Sequence, residues 1–401
     1  MPPRAHHQVT RRTTLNHDST TQYEPLRQAV RHYVTEEVIP LEREHGLTWN
    51  IAPPKDLRRK VRLRAKELGL YAPEMPEAVG GAGLPFLGRC IMEMELHSHD
   101  TVFFEDVLGG GGGPTPILLA GTRAQQDRFL APLMAGETTT CFALSEPDAG
   151  SDASNLRTRA VPAEGGFVVD GTKNIVSNGP QADFGIVFAM AMGADGPAGV
   201  TALLIDSTAP GYDNSRSHTC MGFTGFQGEI ALIDVRVGAD AVLGEVGRGF
   251  ALAMDWINAN RIRTAAMATG IARRALARSS AYAMQRRQFG APIASFQAIQ
   301  LKLAEMATEL YAAESIVTRS AWMKDEGQDI RQVSAMTKLY ASEMVNRHAY
   351  EAVQIHGGIG CLEETGIERI YRMVRILTIL EGTSEMMRLT VADRLLKAAP
   401  R

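Results

Sequence analysis

The stretch ILTILEGTSE, residues 376–385, combines an apolar run with a carboxylate, Glu381, and the one glycine of the stretch. Glu381 ends the apolar run, so we expect its carboxylate to be shielded from water by apolar side chains. Gly382 follows directly and has no side chain, so a ligand can approach the backbone closely there. Burial by Ile379 and Leu380 would raise the pKa of Glu381, as a base that removes a weakly acidic C–H proton requires. Two interpretations follow: a catalytic base, or a glutamate in a helix-capping turn.

Helical periodicity dominates the chain on both sides of this stretch. Past Gly249, apolar residues recur at helical spacing at Ile299, Leu303, Met306, Leu310, Val345, Tyr350 and Val353. This pattern predicts long bundle helices, with methionine as core filler rather than as a ligand.

The first third of the chain is also predicted to be helical. One amphipathic helix runs from Tyr23 to about Glu44, and a second begins at Pro53-Pro54 and stops at Gly69. The predicted buried stripe of the second helix is Leu57, Val61, Ala65 and Leu68. Further helical patterns cover residues 91–96 and 117–133.

Two features of this region suggest ligands but have simpler interpretations. Five consecutive glycines, residues 109–113, precede no Lys-Ser/Thr, so they indicate a flexible connection between helices rather than a phosphate-binding loop. His97 and His99 are two residues apart, and such side chains point to nearly opposite sides of a helix. No metal site is therefore predicted.

The sequence pattern changes from helical to strand-like near Thr138. Short segments rich in β-branched and aromatic residues alternate with Gly, Asp, Asn and Pro clusters, at residues 139–145, 167–170, 185–191, 200–205 and 229–235. This spacing predicts an antiparallel β-barrel or sandwich of roughly 100 residues. We therefore predict an α+β multidomain chain: an extension (1–20), a helical domain (21–137), a β-barrel domain (138–245) and a C-terminal helical-bundle domain (246–401).

Composition excludes several classes of protein. A net charge of −3 over 401 residues gives no basic excess for nucleic acid, and no apolar run is long enough to span a membrane. The four cysteines are scattered, which fits a reducing location, and we expect the cytoplasm rather than the mitochondrial matrix. Residues 1–17 hold three arginines and no acid; we interpret them as part of a disordered extension rather than a transit peptide.

Five motifs in register resemble the acyl-CoA dehydrogenase family over roughly residues 20 to 397. They are LSEPDAGSD (144–152), a linker from MGF (221–223) to GRGF (247–250), QRRQFGAPI with FQ (285–297), QIHGGIG (354–360) and LEGTSE (380–385). Short glycine-rich strings recur by chance, but five in this order on an α-β-α chain are specific.

The resemblance implies that Glu381 is the base that takes the α-proton of an acyl thioester while a hydride leaves the β-carbon for FAD. Some relatives place the base on a C-terminal helix, at a position that corresponds here to Asn260, before Arg261. Asparagine cannot act as a base, so the choice of Glu381 is consistent.

The resemblance also implies the cofactor site. A flavin ring needs an apolar slab and hydrogen bonds at its polar edge. By family position these come from Phe142, Leu144, Ser145, Ser151, Ile175 and Ser177, with Thr383 and Glu385 from the LEGTSE motif. Ile175 stands where relatives usually have tryptophan, and Ser177 keeps the expected hydroxyl.

The phosphates and adenine of FAD are expected to meet a neighbouring subunit. The implied residues are Arg286, Gln288, Phe289, Gln297, Gln354, Gly357 and Gly358, which offer charge and close backbone approach. The resemblance therefore implies a homotetramer, with electron-transfer flavoprotein as electron acceptor. A second departure from the family is Met373, where relatives commonly have an acid.

The substrate is expected to be an acyl-CoA, or an acyl group on a carrier protein. The implied contacts are Ser151, Trp256, Ile257, Arg261 and Leu380, and a pocket floor that includes Phe103 and Phe104 suggests an apolar acyl group of limited length. Alternatives are an acyl-CoA oxidase, a flavin-dependent monooxygenase on the same fold, or a non-catalytic scaffold, which the intact cofactor motifs disfavour.

Overall fold

The computed structural model describes residues 17–221 and 223–398. Within them the chain runs from helices through a β-sheet to helices again, as predicted. The predicted extension lies outside the described residues up to residue 16, and a short 3₁₀ helix, His17–Tyr23, begins before the predicted boundary at residue 20.

The N-terminal region is a set of helices joined by short turns. The first predicted helix is α1 (Glu24–Tyr33) continued by a π-helical turn and α2 (Ile39–Glu44), and the second is α3 (Lys55–Glu67). They are followed by α4 (Phe86–Leu96), α5 (Phe104–Val107), α6 (Arg123–Gln125) and α7 (Ala131–Met134). Leu57, Val61 and Ala65 are buried as predicted, but Leu68 is 39% exposed because it lies just past the end of α3.

The middle region is a sheet of nine strands in the described residues. The strands are β1 (Thr140–Ala143), β2 (Arg159–Ala163), β3 (Gly166–Ser177), β4 (Phe184–Gly193), β5 (Gly196–Asp206), β6 (Tyr212–Asp213), β7 (Ser217–Cys220), β8 (Phe223–Gly238) and β9 (Val242–Leu243). All five segments predicted as strands are found in strands.

The prediction of a closed antiparallel barrel was wrong. In the strand order β6-β8-β3-β2-β4-β5-β9, the two end strands β6 and β9 do not pair with each other. In addition, β1 and β2 run parallel to β4. Turn residues reveal where strands end, but pairing between distant segments depends on what each face packs against, which local patterns do not record. The sheet is therefore open and mixed.

The C-terminal region consists of four long helices and a short one. They are α8 (Gly249–Gln285), α9 (Gln297–Asp325), α10 (Arg331–His356), α11 (Ile367–Val374) and α12 (Ser384–Ala398), with a small hairpin of β10 (Arg287–Gln288) and β11 (Ala291–Pro292) between α8 and α9. Met306, Leu310 and Val345 are buried, but Tyr350 is 56% exposed, contrary to the predicted stripe. No helix among the described residues has both the length and the hydrophobicity needed to span a membrane.

A buried polar network ties the N-terminal helices to the sheet. Asp106 of α5 accepts hydrogen bonds from Arg58 Nε at 2.9 Å and Arg62 Nη1 at 2.8 Å, and Arg58 Nη1 also donates to Asn178 Oδ1 at 2.9 Å. Asn178 follows directly on Ser177 at the end of β3. The network therefore fixes the end of the strand that carries Ser177.

Glu42, a buried carboxyl on α2, holds the turn before α5. It accepts hydrogen bonds from the Thr101 hydroxyl and from Val102 N at 3.0 Å. Burial raises the pKa of Glu42 to about 7, against the lowering effect of these hydrogen bonds. The pKa of Glu42 is higher in the folded than in the unfolded protein, so the protonated side chain stabilises the fold. This contribution to the free energy of unfolding is complete below the unfolded pKa and is lost as the pH rises through about 7.

We expect Glu42→Gln to remove this pH dependence. Glutamine keeps the acceptor oxygen and cannot ionise, so the variant should gain up to about 2–3 kcal/mol relative to the parent between weakly acidic and weakly alkaline pH. Thermal unfolding across that range measures the effect. The exposed neighbour Glu44→Gln serves as control, and parallel melting profiles of the parent and Glu42→Gln would contradict the prediction.

Candidate active site

A cavity of about 810 Å³ lies between the sheet, the N-terminal region and the C-terminal helices. It brings together residues that are far apart in sequence and that the motifs predicted as site residues. These are Phe142, Leu144, Ser145, Ser151, Ile175, Ser177, Trp256, Ile257, Arg261, Leu380, Glu381 and Thr383.

Glu381 is held in an unusual backbone conformation at the edge of this cavity. Its φ is +56°, in the left-handed region that side chains other than glycine rarely adopt. Two buried cations fix the turn: Arg261 Nε donates to the Glu381 carbonyl at 3.0 Å, and Lys338 Nζ donates to the Gly382 carbonyl at 2.8 Å. The surroundings therefore maintain a strained backbone that places the carboxylate at the cavity.

The Glu381 carboxylate has one hydrogen-bond partner among the described residues. Asn260 Nδ2 donates to Glu381 Oε1 at 2.6 Å, and Arg263 Nε donates to Asn260 Oδ1 at 2.7 Å. Because a guanidinium can only donate, Arg263 fixes which end of the Asn260 amide faces Glu381. The carboxylate thus lies in a defined orientation.

Burial raises the pKa of Glu381, and the Asn260 hydrogen bond and the charges of Arg263, Arg261 and Lys338 partly oppose this effect. The direction agrees with the sequence prediction, but its assumed source does not fully hold. Ile379 is 51% exposed and Leu380 is half-buried, so they do not bury the carboxylate by themselves.

Another part of the cavity lining combines aromatic rings with free hydroxyls. The Phe142 ring of β1 stacks on the Trp256 ring of α8, with centroids 4.4 Å apart. The hydroxyls of Ser145, Ser151 and Ser177 make no hydrogen bond to the described residues, although all three line the cavity. Apolar rings beside hydroxyls that have no partner within the protein fit a flavin ring, which has an apolar body and a polar edge.

A buried ion pair, Lys173–Glu146, packs beside the chain segment that carries Ser145. Lys173 Nζ contacts Glu146 Oε1 at 2.7 Å and the Leu144 carbonyl at 3.1 Å, and Glu146 also accepts from the backbone of Arg157 and Thr158. Burial lowers the pKa of Lys173 to about 8, which the pairing with Glu146 opposes. The pair holds the turn that presents Ser145.

Ile175 occupies a strained position in the cavity lining. Its φ is +55°, which is exceptional for a β-branched residue, and 60% of its surface is exposed. It lies in an irregularity of the β3–β8 pairing, where Asn174 Oδ1 accepts from Ile175 N at 2.8 Å. The irregularity turns the side chain toward the cavity.

Eight of the sequence-predicted cofactor residues do not line this cavity. They are all exposed: Arg286, Gln288, Phe289, Gln297, Gln354, Gly357, Gly358 and Glu385. Phe289 is 95% exposed at the tip of the β10–β11 hairpin. Within one chain they therefore form no site with Glu381.

The predicted pocket floor is only partly correct. Phe104, Trp256 and Ile257 line the cavity, whereas Phe103 is fully buried and does not. Met373, which replaces the acid common in relatives, is buried at the cavity, and the preceding Arg372 pairs with Glu368 one helical turn away.

Sequence reasoning missed several residues of the cavity: Trp49, Glu93, His97, Glu105, Phe223, Phe226 and Arg263. The helical position of Arg263, three residues after Asn260 and thus on the same face of α8, was a usable signal. No local pattern predicted that Glu105 lines the cavity, because the residues around it belong to segments that are distant in sequence. His97 and His99 each contact the glutamate four residues earlier.

The sheet, the flanking helices and the cavity with its partly buried carboxylate indicate an enzyme with a flavin site, and comparison with known sequences agrees. Profiles described as the N-terminal, middle and C-terminal domains of acyl-CoA dehydrogenase match residues 20–137, 141–235 and 247–396. The chain belongs to the acyl-CoA dehydrogenase family. It is an oxidoreductase, and its cofactor is FAD.

Relatives with assigned activities align over nearly the whole chain. The 3-(aryl)acrylate reductase of Clostridium sporogenes is 36% identical and covers 94% of this chain and 99% of its own length. The mitochondrial short-chain specific acyl-CoA dehydrogenase of Bos taurus is also 36% identical, over 94% of this chain and 90% of its own. Butyryl-CoA dehydrogenase from Megasphaera elsdenii has a similar structure, with a TM-score of 0.82, 33% identity and coverage of 93% and 98%.

Proposed function

We propose that this enzyme oxidises an acyl thioester to its trans-2-enoyl derivative, with Glu381 as the base. The observation that carries the proposal is the position of Glu381: a carboxylate with a raised pKa, oriented by Asn260, faces the cavity that the free serine hydroxyls also border. A raised pKa brings the base closer to the acidity of the proton it removes.

In the proposed reaction Glu381 accepts the α-proton as the C–H bond breaks, and the β-carbon releases its hydrogen with two electrons. Bound FAD supplies the acceptor for that hydride at its N5 atom. Asn260 holds the carboxylate in place, and the cations Arg261 and Lys338 fix the turn so that the base cannot withdraw. The apolar wall excludes water, which would otherwise solvate the carboxylate and lower its basicity.

The exposed residues of the predicted phosphate site fit a second proposal. Arg286, Gln288 and the glycines 357 and 358 are exposed, and we propose that they contact FAD bound to a neighbouring subunit of a homotetramer. Flavin that stays bound to a monomer in a dilution series, followed by sedimentation, would contradict this arrangement.

Electron-transfer flavoprotein is the proposed electron acceptor. A caffeyl-CoA reductase-Etf complex subunit of Acetobacterium woodii is 34% identical to this chain over 335 residues, and a structure of the electron transferring flavoprotein of Acidaminococcus fermentans is similar, with 32% identity and a TM-score of 0.85. We also propose a role in fatty acid metabolism and a cytoplasmic location.

Anaerobic reduction of the flavin tests the proposed reaction. The yellow holoenzyme is mixed with acyl-CoA thioesters and with carrier-linked thioesters, and bleaching followed by recovery of the enoyl product supports dehydrogenation. Rapid reoxidation by oxygen would identify an oxidase. Bleaching only by a reductase would identify a monooxygenase, and a colourless protein that binds no flavin would identify a scaffold.

Asn260→Ala should shift the pH dependence of flavin reduction to higher pH. The asparagine hydrogen bond stabilises the carboxylate form of Glu381, so its loss raises the pKa further and leaves less of the base ionised at neutral pH. We expect the rate to fall by about tenfold near neutral pH, since hydrogen bonds to charged groups contribute about 1.5–3 kcal/mol. An equal loss at every pH would instead indicate a purely structural role.

A further inference from the structure

The cavity also carries ionisable side chains besides the Glu381 base. Glu93 of α4, His97 directly after α4, Glu105 of α5 and Arg263 of α8 all line it. An apolar acyl chain packed against these side chains would remove from water every polar atom that has no hydrogen bond within the protein, at a cost of about 1–3 kcal/mol for each such atom. The expectation of a purely apolar acyl group therefore does not match the cavity.

Glu93 is fully compensated by its neighbours. Arg89 Nη2 donates to it at 2.7 Å, Arg263 Nη1 at 3.2 Å, and His97 Nε2 lies 3.3 Å from its other oxygen. Burial would raise the pKa of Glu93, but the Arg89 charge and the contacts with His97 and Arg263 hold it well below its usual range. Glu93 thus needs no further partner.

Glu105 is not compensated in this way. In the described residues it has one hydrogen bond, from Gly111 N, and no ion-pair partner. Burial raises the pKa of Glu105, opposed mainly by the charge of Arg263. The carboxyl group also explains part of the glycine run, because a Cβ at Gly110 would lie 1.8 Å from Glu105 Oε2.

Arg263 offers the complementary group. Its Nε donates to Asn260 and its Nη1 to Glu93, while Nη2 donates to none of the described residues. The Glu105 carboxyl group and the Arg263 guanidinium group therefore border the same cavity, and each can form a further hydrogen bond. A ligand hydroxyl suits both, since it can donate to Glu105 and accept from Arg263.

The walls around these two groups are aromatic. The Phe104 ring lies 5.7 Å from Trp49, 5.8 Å from Phe223 and 5.9 Å from Phe226, measured between ring centroids. All four rings line the cavity. They provide apolar surface for a carbon skeleton beside a localised polar site.

We propose that the acyl group of the substrate carries a hydroxyl beyond its reacting carbons, bound between Glu105 and Arg263. This proposal rests on the proposed function, because it places an acyl thioester in the cavity. A carboxylate in the same position would be repelled by Glu105, and an ammonium by Arg263.

Binding of unreactive analogues tests the proposal independently of turnover. S-alkyl-CoA thioethers lack the carbonyl that makes the α-proton acidic, so they report affinity alone. We would compare unsubstituted, ω-hydroxy, ω-carboxy and ω-amino chains from butyl to octyl on the holoenzyme by calorimetry. At the best chain length we expect the hydroxyl to improve affinity by about tenfold over the unsubstituted chain.

Variants of Glu105 test the assignment. Glu105→Leu should abolish the preference for the hydroxyl and leave or improve binding of the unsubstituted chain, whereas Glu105→Gln, which keeps an acceptor oxygen and the size of the side chain, should retain part of it. The exposed Glu77→Gln is the matched control. If the leucine variant does not fold, the glutamine variant and the parent still decide the test.

Three results would overturn the proposal: equal or tighter binding of the unsubstituted chain, tightest binding of the carboxylate or the amine, or a hydroxyl preference that survives in Glu105→Leu. Failure of the proposed dehydrogenation would be seen separately, as flavin that no acyl thioester bleaches although the thioethers bind.

Discussion

Glu381→Gln should keep FAD bound and lose at least about a hundredfold in the rate of flavin reduction, the lower range for removal of a general base. Glutamine has the same size and retains an oxygen that can accept from Asn260, so the turn at Gly382 should persist. It cannot accept a proton. Single-turnover anaerobic bleaching of the flavin by an acyl-CoA measures the rate of the chemical step directly.

The flavin content of the purified variant separates lost chemistry from lost structure. Glu326→Gln, an exposed residue just past the end of α9, is the control for a Glu-to-Gln change away from the cavity. A Glu381→Gln enzyme that bleaches at a near-native rate would show that another group takes the proton. Glu105 would then be the next carboxyl to test, because it lines the same cavity.

Asp106→Ala should destabilise the protein by about 3–5 kcal/mol, the usual effect of removing one partner of a buried ion pair. Asp106 is 3% exposed at its side chain and balances two guanidinium groups, Arg58 and Arg62, which are each 6% exposed. Its removal leaves two buried charges without their shared counter-ion. Chemical unfolding monitored by tryptophan fluorescence measures the loss.

The surface pair Arg123–Asp127 provides the contrast. Its side chains are 83% and 56% exposed, so Asp127→Ala should change stability by no more than about 1 kcal/mol. Because Arg58 also binds Asn178 beside Ser177, Asp106→Ala should additionally weaken flavin binding. Equal stability of the two variants would mean that Arg58 and Arg62 find other partners or reach water.

Much of the architecture could be predicted from local patterns. The helices around Val30 and Val61 follow from periodicity, because side-chain burial repeats every 3.6 residues along a helix. The five strand segments follow from β-branched and aromatic residues between clusters of turn residues. The same patterns failed at Leu68 and Tyr350, whose spacing continues an apolar stripe although no neighbouring element in the described chain covers them fully. Periodicity identifies a face, but packing partners decide its burial.

The candidate active site was also predicted only in part. Motifs near Ser145, Arg261 and Glu381 predicted residues that the structure brings to one cavity. The long-range contacts that tune them were not predictable: Asn260 and Glu381 are 121 residues apart, and Arg263 and Glu93 are 170 apart. Hydrogen bonds over such separations depend on how helices from different regions cross.

By itself, the sequence determined the order of helical and β regions, the family, and the carboxylate at position 381, because these depend on residue spacing and on short motifs. Only the tertiary structure decided that the sheet stays open and that the polar side chains of Glu105 and Arg263 line the same cavity. Strand pairing and buried charge both depend on contacts between segments far apart in the chain, and the energy of each such contact is set by the solvent that folding removes around it.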